Sequence, residues 1–259
     1  MPPGEAEAAR ARLLELAPAG FEEVEHEDGL ELVAYVDRSG EASFRATFPA
    51  ATSTAVAEGW EGRWRDFHHP VRAGGLWIGP PWEAPPPGAA AVVVDPGRAF
   101  GTGAHPTTRA CIELLARSGR GSVLDVGCGS GVVAVAAARL GHRPVFAADR
   151  DETAVEVARE TARRNAVEIE IWRADVLMDE LPQVDLVVAN IELVAVEALL
   201  ARRTASRAIT SGYLASETPR APGWERDDRL ELDGWAADAF RTAQTVRVRN
   251  GRRSGSALS

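Results

Sequence analysis

The chain has 259 residues, 45% hydrophobic and 26% charged, and a net charge of −9. This suits a folded protein of one large domain plus a small one, and excludes collagenous, disordered and disulfide-framework chains. No run approaches ~20 uninterrupted apolar residues, no basic and apolar leader follows Met1, and the two cysteines, Cys111 and Cys128, exclude a four-cysteine zinc site. A reduced, cytoplasmic setting without membrane contact is therefore expected.

The charge is uneven. Every basic residue is arginine; residues 1–70 hold 14 acidic and 6 basic side chains, a net of −8, and the remainder is almost balanced. Such a front half disfavours phosphate-backbone binding there, and either attracts a basic protein partner or is simply a solvated acidic surface.

In chain order, Ala6–Leu16 has helical apolar spacing, while Leu30–Val36 and Ala42–Phe48 read as strands about a Ser39-Gly40 turn. Residues 55–68 place Trp60, Trp64 and Phe67 on one helical stripe that suits packing. The run 80–88 is a stiff proline-rich connector, and His68 and His69 before Pro70 read as structural or exposed rather than as metal ligands. Strands and helices then alternate: strand 90–94, helix 107–117, strand 122–126, helix 131–140, strand 144–148, helix 152–165, strands 168–172 and 185–189, helix 193–203, strand 207–211. This order predicts a mostly parallel α/β sheet with helices on both faces. Prolines 219 and 222 leave little room for a helix over 216–223, and the last strands are expected near 225–232 and 242–248. The expected domains are 1–55, a small α+β unit; 56–88, a helical and proline-rich linker; 89–248, the α/β domain; and 249–259, a disordered tail.

Val123-Leu124-Asp125-Val126-Gly127-Cys128-Gly129-Ser130-Gly131 turns a strand into a helix, the usual ligand crevice of an open α/β sheet. A dinucleotide loop wants its third glycine at 132, which is Val132; here it is Gly131. Asp149 ends the next strand, 22 residues after Gly127, where a carboxylate can accept both ribose hydroxyls. Asp151 is the better cap for the following helix, and Asp175 is placed either to meet a base or simply to make a turn. Cys128 reads as a small filler.

The Asp-x-Gly-x-Gly-x-Gly loop resembles motif I of class I S-adenosylmethionine-dependent methyltransferases. The segment 95–109, Asp-Pro-Gly-Arg-Ala-Phe-Gly-Thr-Gly-Ala-His-Pro-Thr-Thr-Arg, and Val188-Ala189-Asn190-Ile191 resemble the bacterial ribosomal protein methyltransferase family PrmA. Trp64 and the approach Leu76–Trp82 extend the likeness, which runs from about Trp60 to Tyr213. The resemblance implies S-adenosyl-L-methionine as cofactor and lysine or N-terminal amines of large-subunit ribosomal protein eleven as acceptors. It implies an N-terminal unit that recognises substrate across a flexible linker, with cofactor contacts at Thr108, Gly127, Asp149 and Asn190; Gly129 joins them as part of the loop. It places Asp125 toward the cofactor's ammonium. Asn190 is the candidate to orient the amine, and His105 either relays its proton or orders the loop. The family usually carries a full crossover helix after Leu214; here any helix over 216–223 is short. Alternatives are a related methyltransferase acting on another protein or a small amine, a nicotinamide oxidoreductase (disfavoured by Val132 and Asp125), and a non-catalytic ribosome-associated module.

Overall fold

A computed structural model describes residues 9, 12, 13, 16, 21–26, 29–34, 40–53, 68–96 and 101–243. Ala9, Arg12, Leu13 and Leu16 are helical, as their spacing predicts, and Ala9 and Leu13 are buried. Strands β1 (Phe21–His26) and β2 (Gly29–Ala34) pair antiparallel; β1 was not anticipated. The expected aromatic helix at 55–68 lies almost wholly, and the tail 249–259 entirely, outside the described residues.

The segment Ala42–Phe48 corrects the sequence reading. Its apolar residues alternate, yet it forms helix α1 (Glu41–Thr47). The fourfold spacing wins: Glu41 and Arg45 form an ion pair at 3.1 Å, and the rings of Phe44 and Phe48 lie 5.2 Å apart.

Strands β3 (Val71–Ala73), β4 (Leu76–Gly79) and β5 (Ala91–Val93) make a separate three-stranded sheet. β5 runs parallel to β4, so the proline-rich segment is a loop between two adjacent strands. The buried Asn165 fastens β5 from outside. Its Oδ1 accepts the Val93 N–H at 2.8 Å, and its Nδ2 donates to the carbonyls of Val93 at 2.7 Å and Thr161 at 2.8 Å.

The α/β domain follows with α2 (Pro106–Arg117), β6 (Val123–Val126), α3 (Val132–Arg139), β7 (Val145–Asp149), α4 (Glu152–Arg164), β8 (Glu170–Arg173), β9 (Val184–Asn190), α5 (Leu193–Arg202), β10 (Ala205–Leu214), β11 (Trp224–Leu232) and β12 (Trp235–Thr242). The sheet order is β11-β12-β10-β9-β6-β7-β8, parallel from β10 through β8, with β12 antiparallel to both of its neighbours. The last strand among the described residues is thus 235–242; of the strand expected at 242–248, residues 244–248 lie outside the described residues. Asp233 and Gly234 both have positive φ and form the tight turn that brings β12 back, a signal present in the sequence as Asp-Gly.

Helices α2, α3 and α4 pack their buried residues on one face, and α5 packs on the other. With no helix between β10 and β11, the chain covers that second face by other means. Trp224 donates its indole N–H to the Leu200 carbonyl at 2.8 Å. Asp238, wholly buried on β12, accepts from Arg229 at 2.9 Å and from the Tyr213 hydroxyl at 2.9 Å. Arg229 also donates to the carbonyls of Ala215 and Glu217, tying the short connection down. A buried carboxylate is tolerable only with such partners.

Candidate functional site

The parallel strands end together at one rim of the sheet, and the residues singled out by sequence meet there. Val126 pairs with Ala148 on β7 and Ala189 on β9, so the glycine loop leaves β6 between Asp149 and Asn190. Gly127 has φ +66, and a Cβ there would stand 2.4 Å from Cγ2 of Ile191. Gly131 has φ +77, and its Cβ would stand 2.9 Å from that of Ala158 on α4. Only glycine meets both demands, a left-handed backbone and a neighbour at contact distance. Gly127 and Cys128 donate their N–H groups to the Ala148 carbonyl at 2.9 and 3.2 Å, which folds the loop back over β7.

Asp149 completes this fold. Its Oδ2 accepts the Gly129 N–H at 2.9 Å and its Oδ1 the Asp151 N–H at 3.0 Å. Each oxygen keeps a further lone pair, and the side chain is only partly buried, so the carboxylate still has acceptor capacity toward a diol. Asp151 caps α4 through Thr153 N–H at 2.9 Å, as its position predicts. Asp175 is exposed and accepts the Leu177 N–H at 3.0 Å within its own turn.

Asp125 is the third residue of β6. It is 2% exposed, and its Oδ2 accepts the N–H of Ala134 in the first turn of α3 at 3.0 Å. It therefore anchors the helix that follows the loop. Burial raises its carboxyl from 3.8 to about 7, against the Ala134 hydrogen bond, with nearby Asp149 adding to the rise. Burial likewise pushes the Cys128 and Cys111 thiols far above their ordinary value, so neither is a nucleophile at neutral pH.

The loop before α2 closes the other side. The Asn190 amide donates from Nδ2 to Oγ1 of the buried Thr108 at 3.3 Å, which fixes its orientation at the end of β9. His105 caps α2: its Nδ1 accepts the Thr107 N–H at 3.3 Å and lies 2.7 Å from Thr107 Oγ1. Its ring meets Trp235 edge-on at 5.0 Å, and burial holds its pKa below 6.5, so it is neutral at pH 7. Ser130 donates from Oγ to the Gly101 carbonyl at 2.5 Å, joining this loop to the glycine loop. Sequence reasoning missed Ser130 as a tie and Asn165 as the clamp on β5; both looked like ordinary turn and helix-end residues.

The family model described as ribosomal protein L11 methyltransferase (PrmA) matches residues 19–232. The chain is 45% identical over 180 residues to a ribosomal protein L11 methyltransferase of Geobacter sulfurreducens, covering 65% of this chain and 60% of that one. For the Geobacter metallireducens counterpart the figures are 40% over 211 residues, 78% and 67%. A crystal structure of ribosomal protein L11 methylase from Lactobacillus delbrueckii subsp. bulgaricus superposes with a TM-score of 0.62 at 27% identity, covering 68% of this chain and all of that one. The chain thus spans about three fifths to two thirds of the length of the Geobacter proteins it matches.

Proposed function

We infer the function from a plain premise: the chain belongs to the ribosomal protein L11 methyltransferase (PrmA) family. It is an S-adenosylmethionine-dependent protein N-methyltransferase whose acceptors are lysine side-chain or N-terminal amines of ribosomal protein L11. The observation that supports this most directly is the meeting of two devices at one rim: a glycine loop laced to Asp149, and an Asn190 amide oriented by Thr108.

The residues present suit the cofactor. Gly127 and Gly129 would offer backbone at close range, Asp149 would accept the ribose hydroxyls, and Thr108, bonded to Asn190, would complete the set of cofactor contacts. When bound, S-adenosylmethionine supplies an electrophilic methyl group on a sulfonium. The chain must then present a neutral amine in line with it, and orientation provides much of the rate. At pH 7 a lysine ammonium with pKa ~10.4 costs about 4.6 kcal/mol to deprotonate, an α-amino group only about 1.0–1.4 kcal/mol. Asn190 holds the amine through its side-chain carbonyl, since its Nδ2 is turned to Thr108. His105 stands second. Its Nδ1 already serves Thr107, so it takes a proton only by releasing that cap.

Titration calorimetry with S-adenosylmethionine and with NAD tests the donor: micromolar binding of the first and none of the second is expected, and the reverse would refute the reading. Radiolabelled methyl transfer to purified ribosomal protein L11 tests the acceptor; binding without transfer would indicate a non-catalytic module.

A further inference from the structure

Helix α2 has an unusual cap. Serine, threonine, aspartate and asparagine serve best at that position. Here the group is the ring of His105, whose Nδ1 accepts the Thr107 N–H at 3.3 Å and lies 2.7 Å from Thr107 Oγ1. An imidazole nitrogen accepts only when it carries no proton, so the capping ring is neutral with its proton on Nε2. Such a cap also depends on the angle at which the ring is held. Trp235, from the far side of the sheet order, meets that ring edge-on at 5.0 Å.

The sheet fixes where Trp235 stands. It is the first residue of β12, follows the Asp233-Gly234 turn, and pairs with Leu232 on one side and Leu214 on the other. It shares one face of the strand with Ala237 and Ala239. Ala237 lies in the core cluster that holds Cys111, Leu114 and Leu115 of α2, and Ala239 packs against that cluster. The two alanines let the helix lie close, and the indole rises where the helix begins. Two ion pairs join the same hairpin to the same helix: Arg109 meets Asp233 at 4.0 Å, and Arg117 meets Asp228 at 3.4 Å. The hairpin thus lies along α2 from its last turn to its cap. Thr108 follows Thr107 in the first turn of α2, is buried, and accepts the Asn190 amide at 3.3 Å.

We propose that Trp235 is a positioning residue for methyl transfer: by bracing the His105 ring it keeps the first turn of α2 in place, and with it the Thr108 hydroxyl that orients Asn190. The effect on turnover rests on the methyltransferase reading above; the brace itself is a property of the chain alone. Trp235 acts through His105, not on the reacting atoms. A short amide side chain in place of His105 would cap α2 with no ring to steady, and the brace would then have nothing to do.

The test makes Trp235→Leu and His105→Asn singly and together in the full chain, with the unsubstituted chain alongside. Trp235→Leu removes the ring, and His105→Asn supplies a cap that needs no brace. Two quantities are read: amide hydrogen exchange at Thr107 without cofactor, and kcat for methyl transfer to ribosomal protein L11. With His105 present, Trp235→Leu should speed the exchange and lower kcat, each about tenfold, the scale of one aromatic contact. Trp235→Phe, which keeps a ring edge, should recover most of both. In the His105→Asn background, Trp235→Leu should alter neither by more than about twofold, whatever His105→Asn does alone. An equal effect in both backgrounds makes Trp235 a packing residue and overturns the brace, as does unchanged exchange in Trp235→Leu. Faster exchange with unchanged kcat overturns its role in transfer. If Trp235→Leu does not fold, Trp235→Met, a ringless side chain, takes its place in the same comparison. If the unsubstituted chain transfers no methyl group, the function is overturned and the positioning role with it, while the exchange measurement still decides the brace.

Discussion

At the scale of single residues, three positions make separable predictions. Asn190→Ala should reduce kcat about 10²-fold, the usual cost of losing one positioned hydrogen-bonding group, while calorimetric affinity for S-adenosylmethionine changes little. An equal loss in both would make Asn190 a cofactor ligand only. Gly127→Ala forces a φ of +66 on an L side chain and drives its Cβ into Ile191. It should cost about 1–3 kcal/mol, read as a lowered melting temperature together with lost cofactor binding. Asp125 makes a pH prediction. Its folded pKa of about 7 lies above the ordinary 3.8, so between these values the folded chain holds a proton that the unfolded chain releases. Its contribution to stability is therefore present at low pH and is lost as pH rises through 7. Replacement by Asn, which keeps an acceptor for the Ala134 N–H, should stabilise the chain more at pH 8 than at pH 4 in denaturant melts. A pH-independent difference would place the carboxyl in a more polar setting than the structure gives it.

At the scale of elements, the parallel half of the sheet was legible because its signals are local. Apolar runs bounded by Gly-x-Gly-x-Gly, Asp149 and Asn190 mark strand ends whatever packs around them, and Asp151 announces α4 by its capping position. The failures have equally local causes. Ala42–Phe48 satisfies a period of two and a period near four at once, and pattern alone cannot separate them. The strand Trp235–Thr242 after Asp233-Gly234 was not anticipated, because its three alanines dilute the apolar signal. The pairing of β5 with β4 and the clamp by Asn165 are long-range facts that no local spacing encodes. That clamp is testable. Asn165→Ala leaves the Val93 N–H and carbonyl without their partner and should cost about 2–4 kcal/mol. It should also speed hydrogen exchange at Val93; exchange equal to the parent would show that β5 is held by its sheet alone.

At the scale of the whole molecule, charge and connectivity bear on substrate capture. Glu22, Glu23 and Glu25 lie on β1, while Glu27 and Asp28 fall outside the described residues. Reversing all five charges should weaken binding of ribosomal protein L11 at low salt and leave S-adenosylmethionine affinity intact; equal acceptor affinity at low salt would remove the acidic front half from recognition. The sheet of β3, β4 and β5 sets a mechanical rule of its own. Both ends of the proline-rich stretch are stapled to neighbouring, hydrogen-bonded strands. That stretch consequently cannot act as a hinge: turning its two ends relative to one another would break the β4–β5 ladder.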